Sequence, residues 1–345
     1  MKKLRDLFKN KQLILIAEIG LNHNGDANTA LHMIEEAARA GADAVKLQTF
    51  VPDKMYSAYT SSLLSYNLEK EQDRSQIEFF QRFVLSEDRH RLLKKAAEGL
   101  GLVFFSSAFD EESVELLERV GVPMYKIASS EVTNHILLER IAATKKPVIM
   151  STGIATEEEI GMACDLLRRG GTPDLALLHC VSLYPLPPEK ANLSRIASLR
   201  ERFGVEVGFS DHTRDGRTAE IAAALGARIF EKHFTLSFDF DCPDSAVSMP
   251  PKEFRQMRIS IEEVTKLIGD GHISYDFSEK EVANSARRSL FSARQIRKGE
   301  ILRASDVTAK RPGVGMPVYS LGELLGKKCK REIPEDHLLR REYFE

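Results

Sequence analysis

Along the first three-quarters of the chain, short runs rich in Val, Ile, Leu and Phe alternate with longer amphipathic stretches. The apolar runs are LILIAEIG (13–20), ADAVKLQTF (42–50), LVFFSSAF (102–109), MYKIASS (124–130), PVIMSTG (147–153), LALLHCVSLYP (175–185), VEVGFSDHT (205–213) and ARIFEKHFT (227–235). Between them lie helical patterns such as TALHMIEEAARAG (29–41), where Leu31, Ile34, Ala37 and Ala38 are expected on one face. Gly41, Gly101, Gly121 and Gly226 each stand just before a strand, where a helix end wants a residue that tolerates positive φ. Eight strands alternating with helices predict an α/β fold, a (β/α)8 TIM barrel, and nearly continuous apolar strands suit burial on both faces of a parallel sheet. An open doubly wound sheet fits less well, because no GxGxxG turn follows any strand and the count closes at eight.

The pattern changes near residue 270. A polar stretch, 271–284, reads as a linker leading into a short helix, and 285–345 carries short apolar runs between Lys-Gly and Pro-Gly turns with no helical period. The expected organisation is a catalytic barrel over 1–270, a linker, and a small mainly-β module whose own core would be marginal, so that it docks against something.

Composition narrows the function. Of 345 residues 43% are hydrophobic, ample for a sizeable core. Lys and Arg (49) nearly cancel Asp and Glu (51), giving a formal charge of -2 and no global field for nucleic acid or an anionic membrane. An anionic substrate must then be held by local groups. Cys164, Cys180, Cys242 and Cys329 lie far apart without a CxxC pair and read as reduced, buried thiols of a cytoplasmic protein. The basic start MKKLRDLFKNK precedes an apolar run too short for a signal peptide, and no stretch approaches the ~20 apolar residues of a membrane span.

Polar residues crowd the C-terminal ends of the eight strands, the end at which barrels of this kind place their chemistry. They run from Glu18, Asn22, His23 and Asn24 through Lys46, Gln48, Ser106, Ser107, Lys126, Ser129, Glu131, Ser151 and Thr152. They continue with His179, Ser182, Tyr184, Ser210, Asp211, His212, Glu231, Lys232 and His233. One lysine at a strand end simply snorkels to solvent, and one serine caps a turn. Eight strands doing this together imply an anionic ligand, a metal, or both. His212 and His233 end adjacent strands and either ligate one divalent ion or are hydrogen-bonded core histidines. Lys46 and Lys126, with Ser107, Ser129, Ser151 and Ser210, form a plausible cradle for a small phosphorylated carboxylic acid.

The segments AEIGLNHNGD (17–26), GADAVKLQTF (41–50), YKIASSEVTN (125–134), STGIATEEEI (151–160), LLHCVSLYP (177–185), GFSDHT (208–213), EKHFT (231–235) and PDSAVSM (243–249) resemble the sialic acid synthase family in the same order. KGEIL and RPGVG within 298–315 resemble that family's antifreeze-like, or SAF, domain. The resemblance implies an enzyme that condenses phosphoenolpyruvate (PEP) with an N-acylated amino sugar such as N-acetylmannosamine, releasing phosphate. It implies Mn2+ or Mg2+ at His212 and His233, and PEP at Lys46, Ser107, Lys126, Ser129, Ser151, Ser182 and Ser210. Sugar contacts would come from Gln48, Glu131, Tyr184 and Asp244. Glu18, Glu231 and Asp244 would stand at the reacting centre, although a carboxylate there also serves as an ion-pair partner of a lysine. Arg311 would reach a partner's barrel mouth in a domain-swapped homodimer; otherwise it is a solvent-facing turn arginine.

Departures from the family pattern touch the acceptor. Ser182 stands where sialic acid synthases often have Asn, and Cys242 replaces a usual Gly. PDSA resembles pseudaminic acid synthases, where many sialic and legionaminic acid synthases show PDH, whereas AEIGLNHNGD resembles the sialic branch instead. A pseudaminic or legionaminic acid synthase using a diacetamido-6-deoxyhexose is therefore the alternative. A synthase of seven- or eight-carbon keto-sugar acids would not normally carry a SAF domain. A non-catalytic glycan-binding or polysaccharide-assembly protein would have lost Glu18, Lys46, Lys126, His212 or His233, yet all five are present.

Overall fold

The computed structural model describes residues 4–8, 11–58 and 75–345, which divide into two compact units, Met1–Gly269 and Asp270–Glu345. In the first, β1 (Ile14–Gly20), β2 (Ala44–Thr49), β3 (Val103–Ala108), β4 (Tyr125–Ile127), β5 (Val148–Ser151), β6 (Leu175–Cys180), β7 (Glu206–Asp211) and β8 (Ile229–His233) close a barrel in sequence order. Every pairing is parallel, and β8 closes onto β1 with Glu18 opposite His233. The barrel matches the expected pattern, but several strands stop short of the apolar runs: the sixth ends at Cys180 rather than near 185, and the fourth at Ile127. Ser129–Glu131 instead form a 3-10 turn, where the Ser129 hydroxyl accepts the Gly153 N–H at 2.9 Å.

Helix faces follow the 3.6-residue period, one step off the expected register in one case. The helix Ala27–Arg39 starts earlier than its apolar pattern suggests, because the Asp26 carboxylate caps it by accepting from Asn28 and Thr29 N–H groups. Its buried stripe is Ala30, Met33, Ile34 and Ala37, with Leu31 and Ala38 at the margin. The helix Glu111–Val120 ends on Gly121 at φ 78°, a left-handed cap.

Strand side chains alternate between two cores. Outward residues such as Leu15, Val45, Phe104, Tyr125, Phe209 and Phe230 pack under the helices. Inward residues Ile14, Ile16, Ala44, Phe105, Met124, Ile149, Ala176, Leu178 and Ile229 fill the lower barrel, joined by Leu4 and Phe8. Gly208 is required in β7: a Cβ there would lie 2.0 Å from the Ile229 carbonyl oxygen. One inward step further up, the positions turn polar.

The second unit carries a short helix, Lys280–Ala286, and a two-stranded antiparallel sheet, β9 (Ser289–Ser292) with β10 (Val307–Lys310), joined by 3-10 turns, loops and isolated bridges. It has its own core, Leu290, Ile296, Leu302, Leu324, Cys329, Ile333, Leu339 and Phe344. All four cysteines are free and buried. Among the described residues no helix is long and apolar enough to cross a membrane.

Candidate active site

Parity along the strands decides which of the crowded polar residues face the mouth. Lys46 and Lys126 are inward and almost fully buried, as are Glu18 and Glu231. Lys46 contacts Glu18 directly and stands 3.8 Å from Glu231 Oε2, while Lys126 stands 3.8 Å from Glu231 Oε1. Two ammonium groups and two carboxylates thus form one buried chain. Gln48 Nε2 donates to Glu18 Oε1 at 3.2 Å. The hydroxyls fill in around them: Lys46 donates to Ser107 at 3.1 Å, Lys126 to Ser151 at 2.7 Å, and Ser210 donates to Glu231 at 3.0 Å. Ser129 and Ser182 converge over Gly153, where a Cβ would lie 2.9 Å and 2.4 Å from their hydroxyl oxygens. A Cβ there would push these hydroxyls aside.

The charges tune one another. Burial works to raise the Glu231 carboxyl, but Lys126 and Lys46 outweigh it and hold the group at about 2. Burial also works against charge on Lys46, yet Glu18 and Glu231 carry it above its usual value. Lys126 has weaker partners, so burial wins and its pKa falls. Asp244 is drawn below the usual carboxylate range, burial being outweighed by His233 beside it.

His212 and His233 do come together, with ring centroids 5.5 Å apart. His212 Nδ1 lies 3.0 Å from the Val181 carbonyl, so a neutral ring donates there and leaves Nε2 with its lone pair. Asp244 Oδ2 is 3.3 Å from His233 Nδ1. That Nδ1, with Glu18 Oε2 and Glu231 Oε2, is buried and has charged neighbours but no hydrogen bond of acceptable geometry. Buried polar atoms left this way call for a further ligand. Two imidazoles, His212 backed by a carbonyl and His233 beside a carboxylate, fit a divalent cation that takes its remaining ligands from water and substrate, although no group of three or more His, Cys, Asp or Glu among the described residues could hold one. Tyr184 is tilted over His212, centroids 4.1 Å apart, at the rim.

Glu131 ends the 3-10 turn that begins at Ser129, is half-buried and accepts from Asn134 at 2.8 Å. Arg311 is exposed in the second unit, following β10. Asp211, Lys232, His179 and Ser106 do not face the mouth, because period-two alternation turns them outward. Lys232 is buried against Asp211 at 3.2 Å and the Thr213 carbonyl, and His179 lies 2.7 Å from the Ala191 carbonyl. Two further mouth residues were not expected at the site. Cys180 Sγ lies 3.9 Å from His212 Nδ1, and Gly20, at φ 52°, leaves room for Glu18, Gln48 and Asp244 to converge. The inward parity of Cys180 with Leu178 and the EIG sequence were the available signals.

A closed parallel barrel with a buried ionic mouth and a small separate SAF unit is the architecture of a barrel enzyme with an appended module. Residues 33–273 match the NeuB family and 287–344 the SAF domain. The N,N'-diacetyllegionaminic acid synthase of Campylobacter jejuni is 38% identical over 96% of this chain and 99% of its own. A pseudaminic acid synthase of the same species is 38% identical over 94% of both chains. The crystal structure of a sialic acid synthetase from Leptospira borgpetersenii, in complex with citrate, superposes with a TM-score of 0.72 at 34% identity, covering 79% of this chain and 90% of that one. The chain belongs to the NeuB family, the sialic acid synthases.

Proposed function

We propose that this protein is a PEP-dependent nonulosonic acid synthase whose barrel mouth joins PEP to an N-acylated amino sugar. The observation that carries the reading is the convergence of two buried ammonium groups, two carboxylates and two imidazoles at one end of the barrel. Lys46 and Lys126 neutralise the phosphate and carboxylate of PEP, and the hydroxyls of Ser107, Ser129, Ser151, Ser182 and Ser210 accept or donate around them. Carbon C3 of PEP attacks the open-chain aldehyde of the sugar and forms the new C–C bond. Water adds at C2, and the C–O bond to phosphate breaks, so that PEP, aldehyde and water yield the nine-carbon keto acid and inorganic phosphate. Glu18 and Glu231 flank the lysines and are placed to take the proton from that water. Asp244, with Gln48, Glu131 and Tyr184, orients the sugar, and Arg311 of a second copy completes the rim.

His212 and His233 would hold Mn2+ or Mg2+, which when bound would supply Lewis-acid polarisation of the aldehyde. The relatives named for legionaminic and pseudaminic acids, together with the PDSA loop, favour a diacetamido-6-deoxyhexose acceptor over N-acetylmannosamine. The test supplies purified protein with PEP, manganese and each sugar, and follows released phosphate. Turnover is expected with at least one sugar, and His212→Ala should abolish its metal stimulation, a loss of about a thousandfold or more. Wild-type metal response in that variant removes the metal role. No phosphate release with any N-acylated hexosamine defeats the reading.

A further inference from the structure

The NHN sequence that follows β1 takes no part in the lysine–carboxylate chain, yet Asn22 and His23 are fully buried. Asn22 uses all three of its polar positions on the loop that follows β8. Its Nδ2 donates to the Phe234 carbonyl at 2.9 Å and to Ser248 Oγ at 2.8 Å, and its Oδ1 accepts the Asp244 N–H at 3.1 Å. Ser248 Oγ in turn donates to the Asp244 carbonyl at 2.7 Å. Asp244 is therefore gripped at both its N–H and its C=O by a closed ring of hydrogen bonds, in which each donor also polarises the next. Two residues on, Asn24 Nδ2 donates to the Asp241 carbonyl at 2.8 Å.

The loop's own long bonds lie at its ends, where Phe234 bridges Met249 and Met249 N–H donates to the His233 carbonyl at 2.8 Å. Between them it is held by the 3-10 turn Ser245–Val247, by local bonds such as Ser245 N–H to the Cys242 carbonyl at 3.1 Å, and by Thr235 Oγ1 at 3.7 Å from Cys242 Sγ. The β1 turn, by contrast, is rigidly built. Asn22 and Asn24 N–H groups donate to the Ile19 and Leu21 carbonyls, and His23 Nδ1 accepts from Gly25 N–H at 3.0 Å. Asn24 sits at φ 52°, a left-handed conformation that Asn tolerates. A Cβ on Gly25 would lie 2.1 Å from the Arg82 carbonyl oxygen, so the turn is wedged in place.

We propose that Asn22 and Asn24 are positioning residues: the β1 turn clasps the 241–248 loop and thereby fixes the Asp244 carboxylate 3.3 Å from His233. No other side chain of this size reproduces the Asn22 set, because Asp lacks both donors, Leu lacks every polar atom and Gln is one methylene too long. The consequence for catalysis rests on the reading of Asp244 as a sugar contact. The clasp itself does not.

The test uses the full chain with Asn24→Gly, which keeps the positive φ and deletes one bond, and Asn22→Ala, which breaks the ring. Amide hydrogen exchange without metal or substrate should accelerate within 241–248, by roughly tenfold or more in Asn22→Ala and less in Asn24→Gly. Steady-state kinetics of Asn24→Gly should show the acceptor-sugar KM rising by a few fold, and of Asn22→Ala by about tenfold, with the PEP KM held within about twofold. A melting temperature of Asn24→Gly near that of the wild type separates positioning from folding. Wild-type exchange in the 241–248 segment of Asn24→Gly, or of folded Asn22→Ala, overturns the clasp. Faster exchange with an unchanged sugar KM keeps the clasp and removes Asp244 from the sugar.

Discussion

The two ends of the barrel's interior are built on the same strands and the same alternation, yet they obey opposite rules. At the base, Ile16, Ala44, Phe105, Met124, Ile149, Leu178 and Ile229 interlock with Leu4 and Phe8, and nothing there needs a partner beyond contact. One inward step further along, the same strands carry Glu18, Lys46, Ser107, Lys126, Ser151, Ser210 or Glu231, and every group needs a partner of specified charge and geometry. The base supplies stability through buried area, and this lets the mouth hold a cluster whose desolvation is costly. The comparison teaches that the interior is graded along the barrel axis, and that stability and chemistry are separable by layer.

The largest effect expected is at the base. Phe105→Ala should lower unfolding free energy by about 3–5 kcal/mol in urea denaturation, through lost burial and the cavity left behind. The folded fraction should keep the wild-type KM for PEP; a large change there would mean the layers are coupled.

A pH experiment comes next. His23, at the mouth end, is pushed down to about 4, chiefly by burial. The unfolded chain binds a proton near pH 6.5 that the folded chain refuses until about pH 4, so stability falls as pH drops through that window. A shift of this size corresponds to about 3 kcal/mol. His23→Asn retains an acceptor for Gly25 N–H and should flatten the stability profile between pH 6.5 and 4 by that amount. Phe105→Ala should displace the whole profile without changing its slope. Equal slopes in His23→Asn and wild type would assign the acid sensitivity elsewhere. Glu231 and Asp244 act below this window, since their lowered values contribute stability above their unfolded pKa values that is lost as pH falls through the folded ones.

Ser210→Ala should have the smallest stability effect, within about 1 kcal/mol, since one hydroxyl donor to Glu231 is lost. Its PEP KM should nonetheless rise by about tenfold. An unchanged KM would take Ser210 out of the cradle and narrow the mouth to its charged groups.

Much of this was written into the linear pattern. Strand spacing, the glycine stops and the near-continuous apolar runs determined a closed eight-stranded barrel, because parallel strands buried on both faces admit few alternatives. The same runs placed Lys46, Lys126, Glu231, His212 and His233 near the C-terminal ends, where local alternation alone carries them. Which of several adjacent polar residues faces inward was not local. Ser210 and Asp211, or Glu231 and Lys232, differ by one position, and only the register of barrel closure assigned one to the mouth and the other to a buried pair outside it. The grip of Asn22 on Asp244 joins residues more than two hundred positions apart, and the fit of Gly208 beneath Ile229 depends on the neighbouring strand. The second contact needs β7 and β8 paired, and the first needs β8 to meet β1, so tertiary structure alone decided them.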